Sequence, residues 1–275
     1  MITGVDAHAH VLRVDAPLVA QRHSEPSQDA PVSDYLALLD TAGLSHGILT
    51  APSFYGTDNT VLLDALAGAP DRLRATVAVA PGTSAKMLAE LAALGVVGIR
   101  INWSKRKTLP DPFASDYQDL FCRARDTGLH VELMVEESYL PRISDAVLRT
   151  GATLVVDHFG LAAGVETPGF TALLRAMERG STWVKLSGPY RLPTKEPAAL
   201  AEALVRTAPP RVLWGSDWPW VQHEQHVAGF PACLDWLGEW VSDPATRHLI
   251  LVDNPSRVFG LNQPLVKATG PDRRG

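Results

Sequence analysis

Short, near-continuous apolar runs alternate with helix-period patterns along the whole chain, and few folds accommodate that rhythm. The runs are Val5–His10, His46–Pro52, Arg74–Ala80, Val96–Asn102, His130–Val135, Thr153–His158, Thr182–Ser187 and Arg211–Asp217. Helical patterns separate them at Ser33–Ala42, Thr57–Ala67, Ser84–Leu94, Ala114–Thr127, Leu140–Arg149, Thr171–Glu178 and Pro197–Ala208. In the first of these Tyr35, Leu36, Leu38 and Leu39 fall inward, with Ser33 placed to cap the start and Gly43 to stop the end. Strands that are apolar throughout are those buried on both faces, as in a parallel sheet covered by helices. Eight β-then-α units close such a sheet into a barrel. The pattern therefore predicts an α/β fold, a single-domain (β/α)8 TIM barrel over residues 1–262. Extra C-terminal helices are expected at about Val227–Val241, Pro244–Leu249 and Pro255–Phe259. The polar stretch 263–275 contains Gly and Pro and is expected to fray. An open doubly wound sheet is the competing arrangement, but the Gly-rich dinucleotide fingerprint after the first strand is missing.

Length and charge agree with this expectation. The chain has 275 residues, close to the ~250 typical of one such barrel. A net charge of −5 and a pI near 6.0 create no field that favours nucleic acid or an anionic membrane. Cys122 and Cys233 both sit in helical patterns and read as buried free thiols of a reducing compartment, not as a disulfide. The start shows no basic stretch followed by an apolar one, and no apolar run is long enough to span a bilayer. A cytoplasmic protein, monomer or homodimer, is expected.

In barrels of this kind the chemistry gathers where the strands end. The first strand ends in Asp6-Ala-His8-Ala-His10, whose alternation puts the three polar side chains on one face. Two imidazoles aimed at one point can hold a metal or polarise a carbonyl oxygen, although an isolated His-x-His can equally be a packed pair. Later strand ends add Ser53 and Tyr55, Arg100 and Arg106, Glu132 and Met134, Asp157 and His158, then Lys185, Ser187, Tyr190 and Arg191. The last strand ends in Gly215-Ser-Asp217-Trp-Pro219. Imidazoles, guanidinium groups and a carboxylate at one rim exceed what packing requires. The run Lys105-Arg106-Lys107 by itself reads as a solvated basic loop.

His8-x-His10, with Asp217 in Gly-Ser-Asp-Trp-Pro, resembles the amidohydrolase superfamily. Asn254-Pro-Ser-Arg-Val-Phe-Gly260 is similar to the C-terminal signature of its amidohydrolase-2 branch. Within that branch, the stretches around Ser53 to Asn59, Arg100 to Arg106 and Ser187 to Arg191 resemble 2-pyrone-4,6-dicarboxylate hydrolases. The resemblance, which runs from Val5 to Gly260, implies a small dicarboxylate lactone as substrate and reversible hydrolysis of its ring. Asp217 would act as general base, and His8, His10 and His158 would donate to the carbonyl oxygen. Arg100, Arg106 and Arg191 would pair with the carboxylates, supported by Tyr55, Tyr190 and Ser53. Lys105 and Lys107 stay with the solvated class, His223 and His226 with ordinary surface residues, and His23 carries no assignment.

The resembled hydrolases work without metal, so no cofactor is expected. If Zn2+ were present, its ligands would be His8, His10 and Asp217, with Glu132 as a fourth. A bridging lysine, as in binuclear relatives, has no candidate at the ends of the fourth and fifth strands. The pyrone hydrolases carry tyrosine where this chain has Met134 and a neutral amide where it has Glu132. That departure leaves open a zinc-dependent decarboxylase of the same superfamily, or a sugar-lactone hydrolase or isomerase.

Overall fold

The computed structural model describes residues 1–262, so the expected frayed tail lies outside the described residues. Eight strands form one parallel sheet in chain order: β1 (Val5–Ala9), β2 (His46–Thr50), β3 (Leu73–Val77), β4 (Val96–Asn102), β5 (His130–Met134), β6 (Leu154–Val156), β7 (Thr182–Leu186) and β8 (Val212–Trp214). The sheet closes on itself where Ala9 bridges Trp218: His10 N donates to the Trp218 carbonyl at 2.7 Å, and Asp217 N to the His8 carbonyl at 2.8 Å. Outside lie α1 (Val32–Thr41), α2 (Thr60–Gly68), α3 (Ala85–Ala93), α4 (Ser115–Asp126), α5 (Leu140–Leu148), α6 (Pro168–Glu178) and α7 (Pro197–Thr207). The C-terminal helices are α8 (Phe230–Trp240), α9 (Pro244–His248) and α10 (Asn254–Val258). Both cysteines are free thiols, Cys233 buried and Cys122 half-buried. Among the described residues no helix is long and apolar enough to cross a membrane.

Apolar burial explains the layers. One cluster fills the space between sheet and helices, with Tyr35, Phe54, Phe121, Phe170 and Phe230 among its largest members. A smaller one packs Val5, Ile48, Val155, Trp183 and Leu213 against Phe259. At the strand starts the His130 ring lies 5.4 Å from Phe259. Gly98 makes room for it, since a Cβ there would stand 2.4 Å from that imidazole.

The sequence-based boundaries err mostly at strand ends. The run to Asp217 continues past β8 by three residues: Gly215 N still donates to the Leu186 carbonyl, and Asp217 then takes φ +60. Ser33 does not cap α1: Pro31 holds the extended entry residue, and the Ser33 hydroxyl bonds Asp34 within the first turn. Helix α2 starts three residues later than predicted. Ser53–Tyr55 forms a 3-10 turn, and Asp58 takes up Thr60 N and Oγ1, which favours starting the helix there.

Candidate active site

Strand β1 sets the first imidazoles. Its register against β2 slips between Asp6 and Ala9, and the slip breaks the shared face expected for Asp6, His8 and His10. Asp6 turns instead to α1, where it accepts from Tyr35 Oη at 3.0 Å, and to Ser216, whose N and Oγ donate at 2.8 and 2.6 Å. Burial pushes its carboxyl up to about 6 against those hydrogen bonds. His8 and His10 remain together, with ring centroids 5.0 Å apart.

Asp217 is the centre of the mouth. Its Oδ2 accepts from Tyr190 Oη and Arg191 Nε, both at 2.6 Å. Its Oδ1 has no hydrogen-bond partner and faces three imidazoles, with His8 Nε2 at 3.6 Å, His10 Nε2 at 3.7 Å and His158 Nε2 at 3.9 Å. Burial would raise this carboxyl, but Arg191 above all, then His158, hold it well below the usual range. Burial also keeps two of the imidazoles neutral, lowering His8 to about 4 and His158 to about 3. Tyr190 goes the other way, raised well above the ordinary phenol by burial and by Asp217, so it stays a donor.

Local backbone accounts for this convergence. His158, Phe159 and Leu161 all carry positive φ, which turns the β6 exit sharply and presents the His158 ring. His158 Nδ1 lies 2.9 Å from Ser187 Oγ. Gly188 adopts φ +54, and a Cβ there would sit 2.9 Å from both Asp217 Oδ2 and His158 Nδ1. His10 Nδ1 donates to the Thr50 carbonyl at 2.6 Å, which orients that ring.

Beneath the mouth lies a charge network. Lys185 Nζ contacts Glu132 Oε2 at 2.6 Å, Asp157 Oδ1 at 3.1 Å and His8 Nδ1 at 3.1 Å. Arg100 Nη2 donates to Asp157 Oδ2 at 3.0 Å, and its Nη1 to the Ala51 carbonyl at 2.8 Å. All of these side chains are buried. Glu132, expected as a fourth metal ligand, stands in neither potential ligand group among the described residues, and Lys185 holds its Oε2. Burial and Asp157 would raise Glu132, but Lys185 leads the contacts that bring it below its usual range. Among the described residues the potential ligand groups are His8, His10 and Asp217, and His8, Asp157 and His158.

A cavity of about 560 Å3 opens above these groups. His10, Arg100, His158, Tyr190, Arg191 and Asp217 line it together with Ser53 and Met134, while His8 lies fully buried beneath. Two expected members are elsewhere. Tyr55 is buried below its loop, its Oη donating to the Arg13 carbonyl at 2.7 Å and accepting from Arg13 N at 2.9 Å. Arg106 is exposed and does not line the cavity, whereas its neighbour Lys105 does. A one-residue step along that loop exchanges the two, since Lys105 takes φ +58. His223, expected on the surface, also lines the cavity, as does His23, which carries no assignment from sequence. Asp157 and Lys185, counted among the strand ends from the sequence but given no role there, prove to belong to the site. Lys185 is a lone charge inside β7 and Asp157 stands just past the end of β6, both fully buried, which is itself a signal of pairing.

The family described as amidohydrolase matches residues 5–261. A 4-sulfomuconolactone hydrolase of Rhizobium radiobacter is 30% identical over 270 residues, covering 93% of this chain and 89% of that protein. A 2-pyrone-4,6-dicarboxylate hydrolase of Comamonas testosteroni is 30% identical over 274 residues, with the same coverage of each. A crystal structure from Acinetobacter baumannii, described as a probable 2-pyrone-4,6-dicarboxylic acid hydrolase with citric acid bound, superposes with a TM-score of 0.88. It is 29% identical and covers 94% of this chain and 100% of that one.

Proposed function

This chain belongs to the amidohydrolase family, and from that premise we propose that it opens a carboxylated lactone by hydrolysis, with 2-pyrone-4,6-dicarboxylate as the template substrate. One observation carries the reading. Asp217 has one oxygen clamped by Tyr190 and Arg191 and the other unpartnered, facing three imidazole nitrogens. A water at Asp217 Oδ1 can give up its proton as it attacks the lactone carbonyl, and imidazole N–H groups can stabilise the oxygen that becomes negative. Asp217 then returns the proton to the leaving enolate oxygen, whose rearrangement to a ketone makes it a good leaving group. The relatives named for sulfomuconolactone and pyrone dicarboxylate share that substrate chemistry, an anionic group on a lactone ring.

Arg191 is the main anchor. Its Nε holds Asp217, Nη1 and Nη2 have no hydrogen-bond partner among the described residues, and the residue lines the cavity. Arg100 contributes less than expected because Asp157 and Ala51 engage it. Lys105 replaces Arg106 as the outer cation. A carboxylate bound to Arg191 also raises the proton affinity of Asp217 by adding negative charge beside it, so substrate strengthens its own base.

We read the reaction as metal-independent and place the enzyme in the cytoplasm, in the breakdown of aromatic compounds. The convergence of His8 Nε2, His10 Nε2 and Asp217 Oδ1 favours a second reading, a zinc-dependent decarboxylase. Those three residues would then hold the ion, which would supply Lewis acidity. Against it stands His8 Nδ1, which faces the Lys185 ammonium, whereas a metal-bound imidazole donates its second N–H to an acceptor. The test is a spectrophotometric assay against pyrone dicarboxylates, muconolactones and aldonolactones, before and after dialysis against a chelator. The expected result is opening of a carboxylated lactone at a rate the chelator leaves unchanged. Opening of no lactone overturns the hydrolase, and activity lost to the chelator but restored by zinc overturns metal independence.

A further inference from the structure

The two histidines of His8-x-His10 meet opposite chemistry at Nδ1. His10 Nδ1 lies 2.6 Å from the Thr50 carbonyl, which only accepts, so that nitrogen carries a proton and a neutral His10 shows a lone pair at Nε2. His8 Nδ1 lies between two groups that demand opposite tautomers. Asp157 Oδ1, at 3.2 Å, would accept a proton from it. The Lys185 ammonium, at 3.1 Å, only donates and requires its lone pair.

Direction decides between them. Lys185 Nζ and His8 Nδ1 meet in hydrogen-bonding geometry, whereas Asp157 Oδ1, 3.2 Å from the same nitrogen, has no hydrogen-bond partner. Lys185 Nζ hydrogen-bonds to Glu132 Oε2 and His8 Nδ1, and its contact with Asp157 Oδ1 at 3.1 Å is an ion pair. On the far side of the ring, His8 Nε2 is buried without a partner and looks toward the equally unpartnered Asp217 Oδ1 at 3.6 Å.

We propose that Lys185 is a positioning residue that holds His8 with its proton on Nε2, so that His8 donates to the lactone carbonyl oxygen and is unfit to ligate a metal. His10, in the opposite tautomer, is left to accept from the attacking water. The donor role rests on the lactone reading, but the tautomer does not.

Long-range 1H–15N correlation spectra of the 15N-labelled full-length protein at neutral pH test this directly. Spectra of His8→Gln and His10→Gln assign the two rings. The expected pattern is a protonated Nε2 on His8 and a protonated Nδ1 on His10, and a protonated Nδ1 on His8 overturns the proposal. The paired variant Lys185→Met/Glu132→Gln removes one charge of each sign and leaves Asp157 as the partner of His8. It is expected to move the His8 proton to Nδ1 and to bind Zn2+ at least tenfold more tightly than the unaltered protein by calorimetry. An unchanged tautomer and zinc affinity in that variant would show Lys185 to be structural only. If the variant does not fold, the spectrum of the unaltered protein decides alone. Failure of the unaltered protein to open any lactone would remove the substrate assignment and leave the tautomer standing.

Discussion

Asp217 and Arg191 form one unit at the residue scale, and their substitutions separate base from anchor. Asp217→Asn keeps the shape of the mouth but removes the proton acceptor, and general-base removal costs roughly 10²–10⁴-fold in rate. Steady-state kinetics should show that fall in kcat with little change in KM, and unchanged turnover would remove the base assignment. Arg191→Met has a double signature. Losing a charged hydrogen-bonding partner for the substrate is worth about 1.5–3 kcal/mol, a rise in KM of roughly 10- to 100-fold. The same change releases the strongest hold on Asp217, so the acid limb of the kcat profile should move to higher pH. Arg106→Met, at an exposed position outside the cavity, should leave KM within about twofold by the small effects typical of surface sites. A large KM effect at Arg106 together with none at Arg191 would reverse this placement of the anchors.

At the scale of elements, the strand exits do the positioning. The slip in β1 sends Asp6 to the helix layer while His8 and His10 stay at the mouth. The β6 exit turns through left-handed residues, and the β7 exit passes Gly188 close against both Asp217 and His158. Gly188→Ala should therefore be costly twice over. The backbone alone contributes about 1–2 kcal/mol for an L residue at this φ, and the new methyl group presses on the base. A melting temperature lower by several degrees with a deep loss of kcat is expected from thermal unfolding and kinetics. An active, equally stable Ala variant would show that this approach is not required.

For the whole molecule, buried titrating groups set the pH range of stability. His8 and His158 have folded values near 4 and 3, below the ordinary 6.5, so the unfolded chain binds protons that the folded one refuses. Their contribution is complete above about pH 6.5 and is lost as the pH falls through the folded values. Asp6 runs oppositely, since its folded value near 6 exceeds the ordinary 3.8 and its contribution fades as pH rises toward 6. Two groups against one leave about one proton taken up on unfolding near pH 5, a gain of about 1.4 kcal/mol per pH unit as pH rises. Denaturant melts between pH 4.5 and 6 should show stability increasing with pH, and a flat or falling trend would contradict the buried, neutral state of the two imidazoles.

Much of the fold was legible because its signals are local. Apolar runs of strand length between helical periods determined the order of elements and, by their number, the closed barrel. The same runs marked the strand ends where His8, His10, His158 and Asp217 stand. Even Asp157 and Lys185 were readable in principle, as unlike charges in or next to apolar runs that water does not reach. What only the tertiary structure decided depends on the direction of a side chain after a backbone turn. A slip in β1 took Asp6 off the shared face, and one left-handed residue put Lys105 at the cavity and Arg106 outside it. The aim of Lys185 at His8 Nδ1, past the nearby Asp157, is likewise a matter of ångströms between distant strands. Residue type and spacing fix the order of the elements, but the sites are set by where each turn points, and that is settled by packing across the barrel.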